Sequence, residues 1–302
     1  MKIIDSHVHL CEFISGRGGS GDLRAIGNGK AQYTDGSILQ LIPEELGENS
    51  VTPEAMIRCM DKNGVEKAVL LQGDFLGFQT MYSYEAMVKY PDRFLAAATY
   101  DPFCRNRDAI VKHLFKDLGF RAVKFECSVG SGLMSAKPTF PLDGEVMERE
   151  YAYADDNGII IIIDAGALGS ESCQVDALAK SIKRHGSARF VVCHLLAPKQ
   201  HMEEQMCQAL EKLAMPNVWF DIASLQRNME PDPEPYPITK RFVMDAVKIA
   251  GSNRILFGTD MPSNLCEYSY SQMVSVVSNN DGLTEEQKSQ ILYDNAYDLF
   301  FR

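Results

Sequence analysis

The sequence has no long apolar run, no cluster of basic residues and no closely paired cysteines, and each absence removes a class of function. Its longest apolar stretch, Gly158 to Ile163, falls far short of the roughly 20 residues that a membrane-spanning helix needs. The opening Met-Lys-Ile-Ile-Asp-Ser-His has no basic segment followed by an apolar core, so no export signal is expected there. Lys and Arg total 30 against 41 Asp and Glu, a formal net charge of −11. Nucleic acid wants clustered cations, so no nucleic-acid partner and no membrane partner is expected. A small anionic substrate remains compatible, because it feels the local field of a cleft rather than the net charge. The eight cysteines (Cys11, Cys59, Cys104, Cys127, Cys173, Cys193, Cys207 and Cys266) show no Cys-x-x-Cys spacing. Without an export signal they read as buried reduced thiols, and the expected compartment is the cytoplasm.

What is present is alternation. Eight short runs rich in Val, Ile and Phe recur along the chain: Lys2–Ile4, Lys67–Gln72, Phe94–Ala98, Ala122–Phe125, Ile159–Ile163, Phe190–Cys193, Val218–Phe220 and Ile255–Phe257. They lack polar alternation, as strands buried on both faces do. Helix signals lie between them, such as Thr52-Pro53-Glu54 at a start and Asn63-Gly64 at an end. Glu145–Asn157 stops at Gly158, Asp176–His185 at Gly186 and Asn106–Leu118 at Gly119. Eight β-then-α units with no break in composition predict an α/β fold, a (β/α)₈ TIM barrel with long loops at the C-terminal strand ends. The expected organisation is one domain over residues 1–302, with residues 10–50 as an insertion or lid after the first strand. Cys127–Asp143 and Arg227–Pro237 are further candidate lids.

Chemistry-bearing residues gather at predicted strand ends. In Asp5-Ser6-His7-Val8-His9, residues two apart share a strand face, so Asp5, His7 and His9 are expected to point together into the barrel. Two imidazoles there make half of a zinc-type site. Asp260 ends the run Ile255-Leu256-Phe257-Gly258-Thr259-Asp260, on the strand that closes against the first. Asp5 is expected to support the ligands from deeper in the barrel. Strand four places Lys124 and Glu126 on one face, where an inward lysine must pair with an acid such as Asp164 or Glu126, lose its charge or be modified. Asp221 reads as the cap of the turn after strand seven. Gly16 to Gly21 matches G-x-G-x-x-G, but no helix opens behind it, so a nucleotide loop is not expected. Arg17 and Arg24 in the same insertion are candidate clamps for a substrate carboxylate.

With these motifs the chain resembles the amidohydrolase-2 family, metal-dependent hydrolases of the TIM-barrel type that include aminocarboxymuconate-semialdehyde decarboxylase-like enzymes. The resemblance rests on Asp5–His9, Gly64–Leu70, Tyr90-Pro91-Asp92-Arg93-Phe94, Gly119–Lys124, Cys193-His194, Gly258-Thr259-Asp260 and Asn295-Ala296. It implies that His7, His9 and Asp260 bind a divalent metal, usually zinc, and that His194 is the catalytic histidine at the end of strand six. The family pattern has a metal-binding histidine after strand five, where this chain has Asp164. Asp164 is then a candidate replacement ligand, and a carboxylate there opens the site to Mn or Mg. In related two-metal barrels a carboxylated lysine or a glutamate from strand four bridges the ions; here one metal is expected, with Lys124 and Glu126 facing the substrate. The expected reaction is hydrolysis of an amide, lactone or ester through activated water, with Asp260 as proton carrier. The alternatives are non-hydrolytic decarboxylation of an unsaturated or aromatic acid, and a non-catalytic metal-binding barrel. Barrels of this kind often dimerise, so a homodimer is also expected to be compatible.

Overall fold

The computed structural model describes residues 2–302. Eight parallel strands form the centre: β1 (Ile3–Val8), β2 (Val65–Leu70), β3 (Phe94–Ala96), β4 (Ala122–Glu126), β5 (Ile160–Asp164), β6 (Arg189–Val192), β7 (Val218–Asp221) and β8 (Ile255–Leu256). The pairs run β1-β2-β3 and β4-β5-β6-β7-β8. Parallel bridges from Ala98 to Val123 and from Val8 to Met261 join the two arcs into a closed ring. A helix follows each strand, and the last segment, 285–301, turns back under the barrel floor. The fold is therefore a (β/α)₈ barrel.

Local signals account for the shell. Thr52 caps the helix Pro53–Lys62 by accepting from Ala55 N at 3.2 Å, with proline at its first position. Helix Glu145–Asn157 ends on Gly158 in the left-handed region, φ 66°. Inside the barrel, Ile4, Val69, Leu95, Ile160, Ile162 and Leu256 pack in one cluster with Leu299 and Phe300 of the final segment, which stopper the floor. A second cluster joins the outer strand faces to the helices. Among the described residues no helix is long and apolar enough to cross a membrane.

The segment after β1 differs from the loop that its length suggests. Ser15–Gly18, Gly21–Gly27, Lys30–Tyr33 and Ile38–Gln40 form a four-stranded antiparallel sheet. The glycine run that matched G-x-G-x-x-G is its first hairpin, pairing Gly18 with Gly21. Asn28 and Gly29, both with positive φ, make the next turn, as an Asn-Gly hairpin does.

Candidate metal centre and active site

The seam between β1 and β8 holds the first candidate residues. The register of β1 against β2 shifts between Asp5 and Val8: one extra residue bulges and re-aims the side chains that follow. Ile4 packs in the inner cluster and Val8 in the outer one, leaving His7 and His9 to face inwards. Asp5 does not share their face, contrary to the plain period-two expectation. It turns towards the shell, where its carboxylate accepts from Thr259 N at 3.0 Å, Thr259 Oγ1 at 2.6 Å and the Tyr270 hydroxyl at 2.5 Å. Asp5 thus grips the residue next to Asp260, whose own φ is 59°. Burial pushes the Asp5 carboxyl up to about 6 in spite of these bonds. Gly258 leaves the room that His7 needs, since a Cβ there would meet His7 Cβ at 2.8 Å.

The hydrogen bonds of both histidines point their free nitrogens at one place. His9 Nδ1 lies 2.7 Å from the Leu71 carbonyl and must donate to it, so His9 Nε2 turns a lone pair towards Asp260 Oδ1 at 2.8 Å. An imidazole lone pair and a carboxylate oxygen at that distance repel unless they share a proton or a metal cation. His7 Nδ1 lies 3.1 Å from Asp221 Oδ2, and His7 Nε2 lies 3.8 Å from the same Asp260 oxygen. One donor atom from each of His7, His9 and Asp260 lies within 4.8 Å of the other two. Tetrahedral zinc with bonds of about 2.0–2.1 Å sets its ligands roughly 3.3 Å apart, so separations of 2.8 and 3.8 Å bracket that geometry. The carboxylate-histidine pairing of Asp221 and His7 also fixes the ring and its tautomer as metal sites require. Burial and Lys124 keep His7 neutral, with its pKa pushed down to about 4. Burial opposes the charge of Asp260, but the contact with His9 and the charge of His194 outweigh it and hold the carboxyl well below the usual range. The residues fit a divalent cation.

Asp221 does more than cap a turn. Its Oδ1 accepts from Ala223 N at 3.1 Å, as a cap would, and also from His194 N at 2.9 Å. His7, His194 and Asp221 form a second close group, but its atoms serve one another: Asp221 takes His7, and His194 Nδ1 donates to the Ala223 carbonyl at 2.9 Å.

His194 begins four successive left-handed residues, His194, Leu195, Leu196 and Ala197, with φ of 60°, 49°, 66° and 44°. Such a conformation costs a non-glycine residue about 1–2 kcal/mol, so neighbouring contacts must hold it. They include the Asp221 bond to His194 N and Leu168 N donating to Leu196 O at 2.7 Å. The turn leaves His194 Nε2 3.5 Å from Asp164 Oδ2. Burial opposes a charge on His194, but Asp164, Asp221 and Asp260 together push its pKa up to about 10. Asp164 is held well below the usual range, burial being outweighed by His194. Asp164 thus lies against His194, and its oxygens are not among the converging donor atoms of His7, His9 and Asp260.

Lys124 and Glu126 reach the same cavity as expected, yet they do not pair. Lys124 Nζ has His7 Nε2 at 3.4 Å and forms no ion pair among the described residues. Burial opposes its charge, but Glu126, Asp164 and Asp260 act on it through space and raise its pKa. Glu126 takes one hydrogen bond, from Ser131 Oγ at 2.8 Å, and burial pushes its carboxyl up to about 7. It fits only because residue 73 is glycine: a Cβ there would lie 1.7 Å from Glu126 Oε2.

The cavity, about 270 Å³, is lined by His9, Asp260, His194, Asp164, Lys124 and Glu126, with Leu41, Phe75 and Leu76 as an apolar wall. Arg17 and Arg24 are not in its lining. Arg17 faces Asp74 at 3.4 Å, and Arg24 is exposed on the insertion sheet. The arginine that does line the cavity is Arg227, in the short helix Leu225–Asn228 after β7, where it also meets Glu267 at 2.9 Å. Sequence reasoning missed it, together with Ser224, whose hydroxyl donates to Asp260 Oδ2, and Asn264, which donates to Ser224 Oγ at 2.8 Å. Only the position of Arg227 in a loop leaving a C-terminal strand end pointed to it.

Comparison with solved structures finds the same fold repeatedly. A protein from Burkholderia multivorans described as an amidohydrolase with bound zinc aligns over 99% of both chains at 17% identity and a TM-score of 0.73. A protein from Acinetobacter baumannii assigned as a 2-pyrone-4,6-dicarboxylic acid hydrolase, with citric acid bound, aligns over 100% of both chains at 16% identity and a TM-score of 0.70. A 2,6-dihydroxybenzoate decarboxylase from Rhizobium aligns over 82% of this chain and 87% of its own at 16% identity and a TM-score of 0.55. No curated protein matches in sequence. The family model described as amidohydrolase matches residues 4–302, and the chain belongs to that family.

Proposed function

We propose that this protein is a metal-dependent hydrolase that cleaves an amide, lactone or ester bond of a small anionic molecule. The observation that carries the reading is the convergence of His9 Nε2, left free by the bond of Nδ1 to the Leu71 carbonyl, with Asp260 Oδ1 at 2.8 Å and with His7 Nε2. His7, His9 and Asp260 would hold a divalent cation, which would supply Lewis acidity to activate water near neutral pH and polarise a carbonyl. Asp260, with Oδ2 fixed by Ser224, takes a proton from the attacking water and passes it to the leaving group. His194 carries a proton on Nε2 and donates a hydrogen bond to the substrate oxygen on which charge develops. Lys124 and Arg227 give the cavity two cations for an anionic group, while Leu41, Phe75 and Leu76 exclude water from one side. The bound ion is zinc in this reading, one per chain.

A second reading has one specific observation behind it. A protonated His194 beside Asp164 at the cavity wall is also a proton source for carbon, as a non-hydrolytic decarboxylase of an unsaturated or aromatic acid requires. The test is a screen of lactones, amides and unsaturated carboxylic acids in ¹⁸O-labelled water, with elemental analysis of the same protein. Hydrolysis puts solvent oxygen into the organic product; CO₂ release without that label establishes the second reading instead. Close to one equivalent of metal is expected, lost in His7→Ala and in His9→Ala, and two equivalents would overturn the single-ion assignment.

A further inference from the structure

The opposite end of the barrel carries a second cavity of about 370 Å³ that the active site does not use. It lies at the N-terminal ends of three adjacent strands. Arg121 immediately precedes β4, Arg189 opens β6, and Ile160 at the start of β5 sits between them, donating its N–H to the Arg121 carbonyl at 2.9 Å. Lys116 lies on the same lining, and Arg302 too, though Arg302 is paired with Asp298 at 3.2 Å. No acidic side chain lines this cavity, in a chain whose net charge is −11. Neither Arg121 nor Arg189 forms an ion pair among the described residues; each donates one N–H to a carbonyl at the end of a helical segment. Arg121 Nη2 reaches the Phe300 carbonyl at 2.9 Å, and Arg189 Nη2 the Gly158 carbonyl at 2.8 Å. Those single bonds fix the two forks in place and leave their other donors unused, since a guanidinium has five N–H groups. Burial and the nearby Arg121 both lower the pKa of Arg189, the mark of like charges set side by side. Asn157 also lines the cavity, and Phe115, Phe120 and Phe300 give it an apolar part.

We propose that this floor cavity is a binding site for a small organic dianion, held by the forks of Arg121 and Arg189 with Lys116 at the edge and its carbon body against the phenylalanines. Two unpaired guanidiniums match the oxygens of a phosphate monoester or a dicarboxylate, which Arg binds bidentately. The site faces away from the C-terminal strand ends, so its occupant is an effector or a stabilising ligand and not the substrate. It does not depend on the proposed reaction.

Titration calorimetry of the metal-loaded full chain with phenyl phosphate, and separately with succinate, tests the site and tells the two anion chemistries apart. One saturable site is expected, weakening as sodium chloride is raised. Loss of one charged hydrogen-bond donor in Arg189→Gln should weaken binding by about tenfold or more. Lys116→Gln changes an exposed residue whose side-chain bond is to Asn157 Oδ1 at 2.5 Å, and should weaken binding a few-fold. His9→Ala, which is expected to lose the metal and is titrated without it, should leave binding at the floor cavity unchanged. Binding lost in His9→Ala but kept in Arg189→Gln and Lys116→Gln would place the anion at the active site and overturn the proposal. So would no saturable heat with either probe.

Discussion

The two sides of the active-site rim are built on opposite terms. Along the β1–β8 seam each functional side chain is tied to a neighbour: Asp260 to Ser224 and His9, Ser224 to Asn264, Thr259 to Asp5, His9 to Leu71 and His7 to Asp221. Across the cavity, on β4, Lys124 has only His7, and Glu126 has only Ser131. The seam is a fixed frame whose geometry is set before any ligand arrives, which is what tight cation binding needs. The β4 side stores charge without assigning it, so its electrostatics are free to answer to a substrate. Preorganisation and responsiveness are thus divided between two arcs of one ring.

The sharpest way to break that division is at Asp260, where the frame meets the chemistry. Asp260→Asn keeps one oxygen for the cation and removes the proton acceptor. Turnover of the identified substrate should fall by roughly 10² or more with a smaller change in KM. A variant that loses only affinity for substrate would mean that Asp260 acts as a ligand alone.

A smaller effect probes the frame from behind. Asp5 touches no cavity atom, yet it holds Thr259 and through it the left-handed Asp260. Asp5→Asn should weaken metal affinity by about tenfold, at the lower end of the range for groups that support ligands. Competition against a chelator measures it. An unchanged affinity would show that the seam is not held through Thr259.

The smallest effect lies on the β4 side and appears in the dependence of stability on pH. Burial raises the Glu126 carboxyl from 4.5 to about 7. Between those values the folded chain binds more protons than the unfolded one, so this group makes stability fall as pH rises from about 4.5 to about 7 and adds no slope beyond. In Glu126→Gln the decline over that window should be shallower in urea titrations. Parallel curves for the two proteins would place Glu126 among the fixed groups and erase the contrast between the arcs.

How much of this was legible in the sequence follows the range of the interactions involved. The barrel was readable because eight short apolar runs between capped helices are local patterns. His7, His9 and Asp260 were readable because they stand at strand ends. The bulge in β1 was not: period-two counting put Asp5 beside the histidines, and the extra residue that separates them is a register property of two strands. From the sequence Asp221 reads as a cap because that half of its role is local, while its bonds to His7 and His194 join it to other strands. For Asp164 the family pattern fixes a position and not a side-chain direction, so its contact with His194 is not legible there. The insertion sheet could have been read from Asn28-Gly29, a hairpin signal overlooked among the glycines. Arg17 and Arg24 belong to that sheet, which explains why neither reaches the cavity.

The left-handed turn at residues 194–197 has a consequence for which strand aims the imidazole. A chain lacking its later strands has no Asp221 carboxylate and no Ala223 carbonyl to offer the turn, and residues 194–197 would relax to the right-handed basin that ordinary side chains prefer. The imidazole would then point elsewhere. His194 is held in its observed orientation by β7, which lies beside β6, so a strand later in the chain sets where the imidazole of an earlier one points.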